Sequence, residues 1–388
     1  NYIKKVLNSE NWSSTGGSWT TKLEKEFAQK FNSKYAIAFN SGTSTMHAAL
    51  LALGIRPGDE VISPALTVIM NTSATIHANA IPIYADINPD TFTIDPADIE
   101  RKITSKTKVI MVVHLYGLPC DMSPIMDIAR KYNLFVIEDS AECFLSTYKD
   151  KMAGTFGDMA SYSFEDSKHI SCGEGGMLIT NNSDYALATR KIGNHGFKNQ
   201  IADEGRVKLN LDVFQNPNFK RHDEIGWNYR LSEFSSAIAL AQLERLNELV
   251  ELRIKSAEIF IDVMKECEYL IPQKTPKSFT NSYWALGVKY EGEKQINISW
   301  ENFRKAYIEM GGDGFYSAWS IPYLEPVILD RNFLKINPSV YKNIFYKKGI
   351  CPIAEQVQNK MMVFKTNYRS LEIAEKNAEV LKELIKKY

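Results

Sequence analysis

Leu134-Phe135-Val136-Ile137-Glu138-Asp139-Ser140 is an apolar run that ends abruptly in two acids. Consecutive apolar residues suit a strand buried on both faces, the kind found in a parallel sheet covered by helices. Ligands of such sheets gather outside the carboxyl ends of the strands, where Glu138 and Asp139 fall. An acid that caps the following helix is the plainer alternative for Asp139. The run alone leaves both open.

The same pattern repeats outward from it. Tyr35–Phe39, Glu60–Ser63, Ile81–Ala85, Lys108–Val113 and Met177–Thr180 read as strands. Residues from about Thr43 to Leu53, Met70 to His77 and Met122 to Lys131 read as helices. This alternation predicts an α/β fold with a mostly parallel central sheet and helices on both faces. Gly193–Trp227 is polar, rich in Asn, Gly and Lys, and long enough to be a functional loop. One helix is expected from Ser232 to about Lys255. Beyond it, a strand near Tyr283–Gly287 and an amphipathic helix over about Ser370–Lys387 predict a smaller C-terminal α+β domain. The expected domains are therefore 1–250 and 251–388.

A chain of 388 residues is too long for one small core, which agrees with two domains. Lys+Arg and Asp+Glu are both 46, so no bulk field draws the protein to nucleic acid or an anionic membrane, and neither is expected as a partner. No run approaches the roughly 18 apolar residues of a membrane span. The chain starts at Asn1 rather than Met, and Asn1–Lys5 lacks the apolar stretch of a signal peptide. Five widely spaced cysteines, an odd number with no CxxC pair, predict free thiols in a reducing cytoplasm rather than disulfides or zinc.

Asn40-Ser41-Gly42-Thr43-Ser44-Thr45 joins a predicted strand to a predicted helix. Small residues at a helix N-terminus offer free N–H groups to a phosphate, although Ser and Thr also favour plain caps there. Ser163-Phe164-Glu165-Asp166-Ser167-Lys168 follows, with Gly173-Glu174-Gly175-Gly176 close behind. A lysine is usually a solvated surface group; a partly desolvated one can condense with an aldehyde. A strand-end acid, a phosphate seat and such a lysine together suit pyridoxal 5′-phosphate, with Asp139 keeping the pyridine nitrogen protonated. His47 and His114 show no metal spacing and default to packing or hydrogen bonding.

Taken in order, these segments resemble the DegT/StrS-type sugar aminotransferases among fold type I pyridoxal-phosphate enzymes. The resemblance also runs through Leu53-Gly54-Ile55-Arg56-Pro57-Gly58-Asp59-Glu60-Val61, His114-Leu115-Tyr116-Gly117, Glu138-Asp139-Ser140-Ala141-Glu142, Gly226-Trp227-Asn228-Tyr229-Arg230 and Cys351-Pro352-Ile353-Ala354-Glu355. It implies that Lys168 is the covalent anchor and proton shuttle and that Asp139 pairs with the pyridine nitrogen. Glu142, where the family often has Gln, would lie near the phenolic oxygen. Gly42, Thr43 and Ser163 would hold the phosphate. Asn228 would reach it from the neighbouring subunit, making a homodimer with shared sites. Val68 stands where family members often stack an aromatic residue on the ring, so that contact would come from elsewhere. The implied reaction moves an amino group from L-glutamate or L-glutamine to a keto-sugar, usually nucleotide-linked, or to a small phosphorylated ketone. Cell-surface polysaccharide assembly is the implied setting. Two departures, Gly193–Trp227 with Arg206, Lys208, Lys220, Arg221 and His222, and Gly311–Trp319, fall where acceptor recognition is expected. The alternatives are a deoxysugar dehydratase, in which histidine replaces the anchoring lysine, and a non-catalytic regulator on the same fold.

Overall fold

The protein is described by a computed structural model covering all 388 residues. In chain order, the elements that build and position the site are α1 (Trp19–Lys30), β1 (Tyr35–Phe39), α2 (Gly42–Ala52), β2 (Glu60–Pro64), α3 (Met70–His77), β3 (Ile81–Ala85), β4 (Thr107–Val113), α4 (Met122–Tyr132) and β5 (Phe135–Asp139). They continue with β6 (Met159–Ser163), β7 (Gly176–Thr180), α5 (Ser183–Gly193), α6 (Glu233–Leu243), α7 (Leu246–Met264), β8 (Leu270–Pro272), β9 (Ala285–Tyr290), β10 (Met361–Lys365) and α8 (Leu371–Lys387).

Seven strands form one sheet in the order β1-β7-β6-β5-β4-β2-β3. The pairs from β6 through β5, β4 and β2 to β3 are parallel, whereas β7 runs antiparallel to both β1 and β6. The mostly parallel α/β reading therefore holds, with one reversed strand. Helices cover both faces, which is why β2, β6 and β7 are buried along their whole length. β8, β9 and β10 make a separate antiparallel sheet packed with α7 and α8.

Three local expectations change. β6 joins the sheet as a strand of its own, between β5 and β7. The helix expected from Ser232 to Lys255 is two helices, broken at Glu244–Arg245. Leu240 and Leu243 before the break and Leu246 and Val250 after it pack in one core with Leu23 and Phe27 of α1, whereas Ala257, Phe260 and Met264 farther along α7 pack with β9, β10 and α8. The Gly193–Trp227 loop contains a small hairpin, Gln200–Ile201 with Gly205–Arg206, and a short helix, Leu211–Phe214. The C-terminal part does not stand wholly apart. Ile321, Tyr323, Tyr341, Cys351 and Val357 share a core with Ala65, Ile81 and Tyr84 beside β2 and β3.

Candidate active site

Strand direction brings four chain positions to one edge of the sheet. β1, β5 and β6 end there at Phe39, Asp139 and Ser163, and the reversed β7 begins there at Gly176, paired with both Phe39 and Ser163. The chain then crosses this edge very closely. A Cβ on Gly176 would lie 2.6 Å from the Ser41 carbonyl carbon, and a Cβ on Gly42 would lie 3.0 Å from Ser163 Cβ. Glycine is needed at Gly176 because backbone occupies the space of a side chain.

Ser41 caps α2, its Oγ accepting from Ser44 N at 3.1 Å. The plain capping role is thus real for Ser41. The N–H groups of Gly42 and Thr43, at the first positions of the helix, have no intrahelical acceptor and form the positive end of the helix dipole. Thr45 Oγ1 ties the turn down by donating to Gly42 O at 2.6 Å.

Alternation along β5 sends Glu138 and Asp139 to opposite faces. Glu138 is fully buried and its lone pairs are taken: Oε2 lies 2.9 Å from His114 Nε2, and Gly154, Phe156 and Gly157 donate their N–H groups to it. His114 has the hydrogen-bonding role expected of it. Asp139, 3% exposed, accepts from Asn71 Nδ2 at 2.9 Å and from Ala141 N at 3.1 Å. Its carboxylate keeps acceptor capacity beyond those two bonds.

Lys168 sits in a tight turn in which its N–H donates to Glu165 O at 3.0 Å and the Glu165 carboxylate accepts from Ser167. Its Nζ donates to Glu142 Oε1 at 3.2 Å and lies 4.4 Å from the centre of the Trp284 ring. Glu142 Oε2 accepts from Tyr116 N at 3.1 Å. Burial pushes the Glu142 carboxyl above its usual range, against the pull of Lys168. His169 points elsewhere. Its Nε2 lies 3.1 Å from Ser282 O, and burial, with the Arg253 charge, holds it well below the usual imidazole range and neutral.

Lys168 and Glu142 are thus in direct contact, and Gly42 and Ser163 are neighbours at the same strand edge as Asp139. Asn228 is exposed. Its carbonyl accepts from Asn40 Nδ2 at 3.4 Å, next to the start of α2, and its side chain bonds to none of the other candidates. Val68 is half-buried, and the aromatic ring nearest the amine is Trp284, stacked parallel to Tyr116 at 6.3 Å. Sequence reasoning missed Asn71, Trp284 and Arg253. Only Asn71 left a trace, as an amide among the residues of a buried helix.

The sequence model of the DegT/DnrJ/EryC1/StrS aminotransferase family matches residues 1–325. The chain belongs to this family. A relative named GDP-perosamine synthase, from Escherichia coli O157:H7, is 41% identical over 288 residues, 74% of this chain and 73% of its own length. The solved aminotransferase from Psychrobacter cryohalolentis superposes with a TM-score of 0.86 at 27% identity, covering 100% of this chain and 96% of its own. The Streptococcus pneumoniae protein Spr1654, solved in a PLP-form, shares the fold at TM-score 0.82 and 21% identity, covering 100% and 95%. As a DegT/DnrJ/EryC1/StrS aminotransferase, the chain is a transaminase, and its C-terminal strands and helices match the smaller part of that fold. The residues at the strand edge suit pyridoxal phosphate. A close backbone crossing at Gly42 and Gly176 sets free helix N–H groups beside the strand edge, a buried carboxylate stands at a strand end, and one amine is held between an acid and an aromatic ring. No helix of this family member is long and apolar enough to cross a membrane.

Proposed function

We propose that the protein is a pyridoxal-phosphate-dependent sugar aminotransferase that takes the amino group of L-glutamate or L-glutamine and delivers it to the keto carbon of a nucleotide-linked keto-sugar. The observation that carries this reading is Lys168 Nζ, held against buried Glu142 and the Trp284 ring at the strand edge that also ends in Asp139. The GDP-perosamine synthase relative supports a nucleotide-linked acceptor over a small phosphorylated ketone. Amino-sugar supply for cell-surface polysaccharide is the matching pathway.

The bound cofactor would supply the electrophilic carbon and the electron sink. Lys168 Nζ would be the covalent anchor and the group that takes and returns the proton at the reacting carbon. Asp139, ionised and buried, would hold the ring nitrogen's proton. Glu142 would orient the phenolic oxygen. Gly42 N–H, Thr43 and Ser163 would hold the phosphate, joined by Asn228 of a second copy in a homodimer. Residues 1–250 would carry the cofactor, and 251–388 would close over the acceptor. The five buried free thiols suit a cytoplasmic enzyme. Lys168 at the anchoring position, with His169 turned to Ser282, favours amination over dehydration.

A product screen tests the acceptor. The glutamate-loaded enzyme is offered keto-sugar nucleotides and small keto-phosphates, and products are read by mass. Amination of a nucleotide-linked sugar is expected. Turnover confined to small keto-phosphates would overturn the acceptor assignment.

A further inference from the structure

Arg253, on α7, is 6% exposed and has no carboxylate partner, which is unusual for a buried guanidinium. Its two terminal nitrogens make four hydrogen bonds. Nη2 donates to Ser167 O at 2.9 Å and Lys168 O at 2.8 Å. Nη1 donates to Trp284 O at 2.7 Å and to Thr366 Oγ1 at 3.4 Å. Trp284 returns to the same turn: its Nε1 donates to Ser167 O at 2.8 Å, and its ring meets Lys168 Nζ at 4.4 Å. Burial lowers the Arg253 pKa to about 10, so it stays cationic at neutral pH, and the Glu142 charge works against that lowering.

A guanidinium whose only job was packing would be cheaper paired with an acid. Here it is committed to the two main-chain carbonyls at the amine-bearing residue, and the neighbouring indole fixes the other end of the same side chain. A lysine could not span these four acceptors, because only the planar fork presents donors in several directions at once. We propose that Arg253 and Trp284 are positioning residues for Lys168: the guanidinium fixes the main chain of Ser167 and Lys168, and the indole fixes Nζ against Glu142. Trp284 and Thr366 belong to the C-terminal part, so this clamp also ties that part to the amine. The inference rests on Lys168 being the cofactor's anchor.

The charged groups that face this turn are Glu142, Glu165 and Arg253, with Asp166 exposed within it and Asp139 beside Glu142, while His169 is neutral. The test uses the full chain stripped of cofactor, with pyridoxal 5′-phosphate as the probe. Three quantities are read: the rate at which the visible absorbance band grows, the pH midpoint of that band, and the melting temperature. Arg253→Met is expected to slow band growth by about tenfold, through loss of orientation. It should also raise the pH midpoint of the band, because removing a nearby positive charge favours the protonated form of the chromophore. Arg253→Lys should restore the midpoint but not the rate. Trp284→Phe keeps a ring but loses the indole N–H; it should slow growth about threefold, the loss of one hydrogen bond, and leave the midpoint in place. It also carries the test if Arg253→Met does not fold. Wild-type rate and midpoint in the folded variants, with only the melting temperature lowered, would overturn the proposal in favour of a packing role. Cofactor still fixed by borohydride to folded Lys168→Ala would instead overturn the anchor assignment beneath it.

Discussion

At the scale of the residue, chemistry follows from what each side chain still has free. Glu138 and Asp139 are neighbours in sequence, yet Glu138 is consumed by His114 and three backbone donors while Asp139 faces the ligand edge. Arg221 is fastened by its Nη2 to Phe214 O at 2.7 Å and packs on the Phe214 ring, with Arg206 over the same ring. Burial, helped by the Arg221 charge, lowers the Arg206 guanidinium. Two cations set side by side suit an anionic acceptor. Arg221→Ala should therefore raise KM for the keto acceptor by about tenfold, the worth of one charge-assisted contact, and leave KM for glutamate nearly unchanged. Steady-state kinetics with both substrates checks this, and equal changes would place Arg221 outside the acceptor site. Motif and spacing already single out Lys168, Asp139 and Gly42 as candidates in the sequence, and the fold sets Lys168 against Glu142 and brings Gly42 beside Ser163 at the strand edge where Asp139 lies. Arg253 and Trp284 are not singled out, because only folding brings α7 and the start of β9 to a turn far earlier in the chain.

At the scale of the element, the edge formed by β1, β7 and β6 depends on one missing side chain. Gly176→Ala would drive a Cβ into the Ser41 backbone, which cannot swing away as a flexible side chain could. It should cost about 1–3 kcal/mol of stability and weaken cofactor binding as well. Denaturant unfolding of the variant checks the first part; unchanged stability would mean that the α2 N-terminus is looser than described. His47, on α2, has Nδ1 2.9 Å from Tyr229 Oη and its ring against Trp227. Burial lowers its pKa from 6.5 to about 4. The folded state therefore binds fewer protons than the unfolded state between these values, so stability falls as pH drops through that window. From pH 7 to pH 5 the loss should be about 2 kcal/mol, and His47→Gln should flatten it. A variant with the same acid slope as wild type would assign the loss to other groups. Most strands and helices were readable from period and composition. The break at Glu244–Arg245 was not, since both residues are good helix formers and the apolar spacing runs through it, with Leu240, Leu243, Leu246 and Val250 in one core across it. β6 was hidden because Met159-Ala160-Ser161-Tyr162-Ser163 carries no β-branched residue.

At the scale of the whole molecule, the topology gathers Asp139, Ser163, Gly42 and Lys168, whereas Asn228 stays exposed near Asn40 and touches none of them. The proposed sharing of sites between two subunits would explain that separation, and complementation tests it. Lys168→Ala and Asn228→Ala homodimers should each be nearly inactive. Mixing them with subunit exchange should restore about a quarter of wild-type activity, because half the dimers carry one intact site. No recovery would mean that Asn228 serves its own subunit. The central claim, a Lys168-anchored transaminase, meets its most direct test in one absorbance experiment. The protein loaded with pyridoxal 5′-phosphate is titrated with L-glutamate or L-glutamine. Cofactor that borohydride fixes to wild type but not to folded Lys168→Ala, and a band that bleaches with release of one keto acid per site, are the predicted results. A band indifferent to every amino donor, or cofactor still fixed by borohydride after loss of Lys168, would contradict it.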